Sequence, residues 1–175
     1  MADWVIETLT SKNFRLDSLD DFVRTQRVTE SYRLTGSGLE LVPDSYVDDW
    51  SPAQRREKAA ELLREDCVAY LVRDGRRVVG FVQLERAPRQ GRMVVQKLHV
   101  SQDYRRRGIG RRLFDRAVGT ARAAGAREMY ISANSSRETI GFYRAMQCEL
   151  ACPVIREMAE EEPFDLQLTR PLGGE

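Results

Sequence analysis

Two glycines, Gly108 and Gly110, stand between a stretch patterned as a strand, residues 93–100, and one patterned as a helix, residues 109–124. Ile109, Leu113, Phe114, Ala117, Val118 and Ala121 fall on one stripe of that helix. Gly125 stops it, and residues 128–133 return to a strand pattern. A strand, a long amphipathic helix and a second strand in this order form a crossover packed on a sheet. The chain is therefore expected to be α/β, a mixed sheet with a strand–helix–strand unit near its centre.

The flanking elements follow from local signals. Residues 4–9 suggest a first strand, and Leu19, Phe22 and Val23 suggest a helix over residues 18–26. Gly36-Ser37-Gly38 separates residues 31–34 from 39–42 as a small hairpin. Ser51-Pro52-Ala53-Gln54 has the N-cap serine, the proline and the glutamine of a capping box, starting a helix that runs to about residue 65. Strands over residues 68–73 and 78–85 flank a turn at Asp74-Gly75-Arg76-Arg77, and residues 89–91 turn the chain again. Ser135-Ser136-Arg137-Glu138 reads as a second capping box, for a helix to about residue 146. Strands are expected at residues 148–154 and at 164–168, where Phe164, Leu166 and Leu168 alternate with Asp165 and Gln167. No internal repeat interrupts the 175 residues, which are expected to form one domain, 1–175.

Charge narrows the function classes. With 28 Lys+Arg against 27 Asp+Glu, the formal net charge is +1. A dedicated nucleic-acid or anionic-membrane binder would carry a basic excess, so neither partner is expected. The longest apolar run, residues 67–72, is far short of the ~20 residues that span a bilayer. Met1-Ala2-Asp3-Trp4 has no basic segment leading into an apolar one, so no secretory signal is visible. Cys67, Cys148 and Cys152 match no metal or redox spacing. They are expected to be buried thiols of a cytoplasmic protein, with no metal.

Chemistry concentrates where the first strand of the crossover ends. Glycines at a strand–helix junction let the backbone approach a ligand, and the N–H groups that open the helix suit a pyrophosphate. Arg105, Arg106, Arg107, Arg111 and Arg112 add cations, with no acid before Asp115. The same glycines would serve a tight turn, and the same arginines a solvated patch or a nucleic-acid contact. The string is neither a dinucleotide fingerprint nor a P-loop, because neither glycine order is present.

This junction resembles the GNAT superfamily of acyl-CoA-dependent N-acetyltransferases, whose Arg/Gln-x-x-Gly-x-Gly/Ala signature is matched by Arg105, Gly108 and Gly110. A second family feature follows one strand later: Asn134, then a helix carrying Phe142-Tyr143. The resemblance is firm over residues 78–146. It implies an α/β fold with a mixed, mostly antiparallel sheet, a central parallel β-α-β unit and helices on both faces. It further implies acetyl transfer from acetyl-CoA to a primary amine by direct attack in a ternary complex. The backbone of Leu98, His99 and Val100 would bind the pantetheine arm as an added strand, one N–H polarising the thioester carbonyl. Arg105, Arg106, Arg107, Gly108, Ile109, Gly110 and Arg111 would hold the pyrophosphate. Asn134 would contact the pantetheine or shape the gap between the central strands. Tyr143 would protonate the departing thiolate, although Ile140, Tyr143 and Met146 are also spaced as a core stripe.

The chain departs from the family in two places. Gln147-Cys148 stands where many members have a Gly-Phe pair, and no acid lies between Arg92 and Gln102 to act as a base. His99, the only histidine, alternates with Leu98 and Val100 and is the first candidate for the base, followed by Glu85, Asp48 and Asp49. Tyr46, Asp48, Asp49 and Trp50 combine acids and aromatics as a clamp for a cationic acceptor. The rival readings are a non-catalytic acyl-CoA-binding module of the same fold and a nucleic-acid binder using the arginines. The acceptor's identity and the oligomeric state, a homodimer included, stay open.

Overall fold

The computed structural model describes residues 3–173; Met1 and Ala2, read above for a signal, lie outside them. Nine strands and four helices alternate among the described residues. They are β1 (Ile6–Thr8), β2 (Gln26–Thr35), β3 (Gly38–Asp48), α1 (Pro52–Leu62), β4 (Cys67–Asp74), β5 (Arg77–Glu85), β6 (Arg92–Val100), α2 (Ile109–Ala123), β7 (Glu128–Ala133), α3 (Arg137–Ala145), β8 (Glu149–Leu150), α4 (Arg156–Glu161) and β9 (Leu166–Pro171). Seven strands form one sheet in the order β1-β4-β5-β6-β7-β9-β8, in which only β6 and β7 run parallel. β2 and β3 form a separate ribbon. Among the described residues no helix is long and apolar enough to cross a membrane.

Each face of the sheet buries its own cluster. On one face, α2 and α3 cover Val82, Leu84, Met93, Val95, Met129 and Ile131 with the whole predicted stripe of α2 together with Ile140 and Tyr143. Burying each large apolar side chain contributes ~1.5–3 kcal/mol, so this stripe fixes α2 on the sheet. On the other face, Ala59 and Leu62 of α1 pack with Leu71, Phe81, Leu19 and Phe22. The α1 capping box forms as expected: Ser51 Oγ accepts from Gln54 N, and Gln54 Oε1 accepts from Ser51 N. Gly75 and Arg76 alone remain as the β4–β5 turn, the strands absorbing Asp74 and Arg77.

Several expectations are corrected. Residues 18–26 are not helical: Ser18, Asp20 and Phe22 donate to carbonyls three residues back, as a run of turns before β2. Leu19 and Phe22 are buried all the same, because spacing by three serves such turns as well as a helix. Ser18 Oγ accepts from Arg15 N at 2.8 Å, a local bond that competes with a helical ladder. The β2–β3 hairpin is longer than its central residues suggested. The α3 cap is Ser136, whose Oγ accepts from Thr139 N, so no glutamate completes a capping box. The strand expected at 148–154 shortens to β8, α4 follows it, and β9 starts two residues later than expected. Cys67 and Cys148 are buried, whereas Cys152 is exposed.

Gly80 on β5 is where α2 meets the sheet most closely. A Cβ there would lie 2.8 Å from Ile109 Cγ2 and 3.1 Å from Leu113 Cδ1, both fully buried. Gly80→Ala should therefore destabilise the fold by about 1–3 kcal/mol through overpacking, read as a lower urea midpoint at unchanged slope.

Candidate active site

The site begins with a fault in the ladder. β5 and β6 pair Gln83 with Lys97 and then Leu84 with Val95, which leaves Gln96 as an extra residue on β6. Such a bulge bends its strand. On the other side of β6, the parallel ladder to β7 ends at Val95 and Ile131, one residue before the bulge. Beyond it β6 stays paired with β5, up to Gly80 opposite Val100, but parts from β7. Ser101 N donates to Val79 O, toward β5. By alternation along the strand, the N–H and C=O groups of Leu98 and Val100 face the opposite edge, into the gap between β6 and β7.

The gap leads to the start of α2. Gly108, at φ +82°, is the helix N-cap and offers no capping side chain. No atom lies within 4 Å of where its Cβ would be, so backbone conformation is what requires glycine here. Gly110 has a different reason: a Cβ there would sit 3.1 Å from Phe142 Cε2, where α3 crosses. Arg106 also takes a positive φ, +63°. Among the described residues the N–H groups of residues 106–111 have no acceptor, while Arg112 N returns to Gly108 O. Consecutive free N–H groups with alternating backbone conformation, at the positive end of a four-turn helix, form a concavity suited to an anion. Arg106, Arg107 and Arg111 are exposed around it.

Arg105 points the other way. Its Nε donates to Val100 O at 3.1 Å, Nη1 to Thr25 O at 2.8 Å and Nη2 to Arg24 O at 2.8 Å. The guanidinium that the signature suggested for a phosphate instead organises the loop from behind. Ser101 shares this duty: its Oγ accepts from Val23 N, and Gln102 N donates to Val23 O.

His99 pairs with Phe81 and lies, as alternation predicts, on the face away from Leu98 and Val100. Its ring meets Trp50 edge-on at 4.9 Å and Phe81 at 5.6 Å. Burial first, then the cations Arg24, Lys97, Arg105 and Lys58, hold its pKa well below the usual value near 6.5. The imidazole is neutral and a poor proton acceptor. Asp48 is tied to the buried Arg24 at 2.7 Å, and Asp49 is exposed, accepting from Trp50 N. Trp50 stacks on Phe22 and Phe81. Glu85 sits at the far end of β5, bound to Arg89 and Gln96, and does not share this face's site. The proposed clamp is thus brought to one place but largely engaged within the protein.

On the opposite side of the gap, Asn134 Nδ2 donates to Tyr46 Oη at 3.1 Å and its Oδ1 accepts from Ser136 N. The ribbon is seated there as well: Tyr32 N donates to Ser135 O, and Arg33 to Ser135 Oγ. Tyr143 is 6% exposed, between Phe114, Phe142 and Cys148. Burial, with smaller contributions from Cys148 and Asp165, raises its phenol pKa. One carboxylate near Tyr143 escaped the sequence reading: Asp165, just before β9. The only signal for it was its alternation against Leu166.

The Acetyltransferase (GNAT) family matches residues 36–147, well over half of the sequence. The chain belongs to the GNAT family of acetyltransferases. No curated protein matches it significantly. Its fold is shared end to end with nourseothricin acetyltransferase, at 19% identity, over 98% of this chain and 100% of that one, TM-score 0.74. A Bacillus anthracis str. Ames protein assigned as a streptothricin acetyltransferase, solved with acetyl coenzyme A, follows at 14% identity, 96% of each chain and TM-score 0.70. The ribosomal-protein-S18-alanine N-acetyltransferase from Escherichia coli superposes over 99% of this chain and 96% of its own, at 13% identity and TM-score 0.62. At these identities the likeness establishes the fold.

The loop geometry is testable without any ligand. Arg105→Ala leaves three carbonyls without their charged donor and should cost about 2–3 kcal/mol in chemical denaturation. Arg105→Lys should recover little of that, because one ammonium does not reproduce the guanidinium fork that spans Val100, Thr25 and Arg24.

Proposed function

We propose that this chain transfers an acetyl group from acetyl-CoA to a primary amine by direct attack in a ternary complex. The observation that carries the reading is the continuity of the open β6 edge with the unpaired N–H groups at the start of α2, where α3, the helix of Tyr143, crosses at Gly110. An amide-bearing arm fits an open strand edge, and a pyrophosphate fits free N–H groups at a helix start. Leu98 and Val100 would pair with the pantetheine, one N–H polarising the thioester carbonyl, and residues 106–111 would hold the pyrophosphate through the backbone, with Arg106, Arg107 and Arg111 adding charge. Arg105 serves by shaping the loop. Asn134, bound to Tyr46 and Ser136, holds the gap's far wall.

Tyr143 is the acid in this reading. Burial keeps its phenol protonated, and the same dry surroundings make a free thiolate costly beside it. The proton therefore moves to sulfur as the carbon–sulfur bond breaks. His99, neutral among aromatics, lines the acceptor side and does not take the acceptor's proton. The full-length likeness to nourseothricin acetyltransferase supports a small amine-bearing acceptor, and that to the S18-alanine enzyme a peptide N-terminus. A screen of nourseothricin, an aminoglycoside and an alanine-terminated peptide, read by thiol release from acetyl-CoA, decides among them. Binding of acetyl-CoA with no transfer to any amine would favour the non-catalytic module instead.

Two variants test the parts. Acetyl-CoA at 100 times its dissociation constant should stabilise the wild type by ~2.7 kcal/mol. Gly108→Val should abolish that gain, since its side chain projects beside the free N–H groups; an equal gain with ATP or NAD would argue against the assignment. Tyr143→Phe should lower kcat by ~10²–10⁴-fold while the acetyl-CoA thermal shift persists. Wild-type turnover in that variant would return Tyr143 to a packing role.

A further inference from the structure

β7 and β9 run antiparallel with Ser132 opposite Gln167. Tyr130 and Ser132 alternate with Met129 and Ile131, which pack under α2 and α3. They therefore lie on the other face, the one that carries Phe81 and His99. A directed hydrogen-bond chain runs along this face. Ile155 N donates to Tyr130 Oη at 2.8 Å, so the phenol gives its own proton to Gln167 Oε1 at 2.7 Å. That contact fixes the amide, whose Nε2 donates to Ser132 Oγ at 2.8 Å. The serine hydroxyl in turn donates to Asp165 Oδ2 at 3.2 Å. Each donor is set by the one before it, and the chain ends on a carboxylate.

The surroundings of Asp165 distinguish it from Asp48 and Glu85, and its burial distinguishes it from the exposed Asp49. Among the described residues no Lys, Arg or His lies within ion-pair distance of it, whereas Asp48 has Arg24 and Glu85 has Arg89. The titratable groups that face it are Glu162 on its own turn, Asp48 at the end of β3 and Tyr143 of α3. It is half-buried, beside the first residue of β7 past the end of the ladder. This is the side of the gap from which an acceptor would approach a thioester held along β6.

We propose that Asp165 is the general base, taking the proton from the acceptor's ammonium, so that the acceptor is an amine that is cationic in water. The inference rests on the acetyl-transfer reading above. The proton moves from nitrogen to an Asp165 oxygen, and the freed lone pair attacks the thioester carbonyl carbon. The carbon–sulfur bonding pair leaves with sulfur, which takes the Tyr143 proton. The second proton, leaving nitrogen as the amide forms, restores Tyr143, and Asp165 returns its proton to water. Burial, Glu162 and Asp48 lift the Asp165 carboxyl to about 6, against the Ser132 hydroxyl, which lowers it. A base in that range is ionised at neutral pH yet stronger than an ordinary carboxylate.

The test uses the full chain and the amine that the wild type acetylates in the screen above. The acidic limb of kcat/KM should fall near pH 6. Asp165→Asn should lose that limb and ~10²–10⁴-fold in rate, with the acetyl-CoA thermal shift intact. The variant's stability supplies a readout apart from activity. With its carboxyl raised from 3.8 to about 6, Asp165 favours the folded state below pH 4, and that favour is lost as pH rises through 6. Asp165→Asn should therefore raise Tm at pH 7.5, with the gain fading toward pH 4. A surviving limb, or a Tm lowered at every pH, overturns the proposal. Ser132→Ala serves even if Asp165→Asn fails to fold: losing the donor should move the limb to higher pH, a roughly 3–10-fold rate loss at pH 5.5. An unmoved limb there would also overturn it. A wild type that binds acetyl-CoA and acetylates no amine sinks the acetyl-transfer reading itself, a failure visible before any variant is made.

Discussion

The extra residue at Gln96 is what the rest of the site depends on. Without it β6 would continue its ladder with β7, and the N–H and C=O groups of Leu98 and Val100 would be consumed by the sheet. With it, the pair that holds the crossover together at Val95 and Ile131 separates within one residue, and a strand edge opens in the middle of the sheet rather than at its border. Unpaired strand edges are ordinarily a liability at a sheet's rim. Here the edge lies between two covered layers, where α2 and α3 on one face and the β2–β3 ribbon across the far wall limit what can reach it.

Keeping that gap open takes rigid walls, and the walls are built from polar contacts that tie distant segments. Arg105 and Ser101 fasten the strand–helix loop to residues 23–25, which lie some eighty positions earlier. Asn134, Ser135 and Ser136 fasten the α3 entrance to the ribbon. The contacts to Val23 N, Arg24 O, Thr25 O and Tyr32 N satisfy backbone groups that would otherwise stay unpaired, so removing such a partner costs more than the bond it makes.

This division explains what was legible in the sequence. The α2 stripe, the Ser51 capping box, the Gly75 turn and the crossover depend on neighbours a few residues apart, and periodicity and turn chemistry report such neighbours directly. Gly108 was legible because its demand is a backbone conformation. Arg105 was legible as part of a motif but misassigned, since nothing local tells whether a guanidinium faces a ligand or three carbonyls from elsewhere in the chain. Residues 18–26 misled because spacing by three suits two kinds of backbone. Asp165 stayed hidden, for its character comes from burial and Glu162, and from Ser132 and Asp48 on two other elements.

Charge is sorted across the gap in a way that neither arm achieves alone. On the β6 side stand Arg24, Lys97 and Arg105, which after burial lower the pKa of His99, and the exposed Arg106, Arg107 and Arg111 around the helix start. On the β7–β9 side stand Asp165 and Glu162, while Asp48 of the ribbon lies between the walls, ion-paired to Arg24. The near-zero net charge of the whole chain conceals this separation. On the proposed function, such an arrangement would draw an anionic donor and a cationic acceptor to different walls, so that neither competes for the other's place. The same field acts on the protons. A buried histidine beside cations loses basicity, a buried carboxylate beside carboxylates gains it, and the proposed base would therefore sit on the wall to which an ammonium would be drawn.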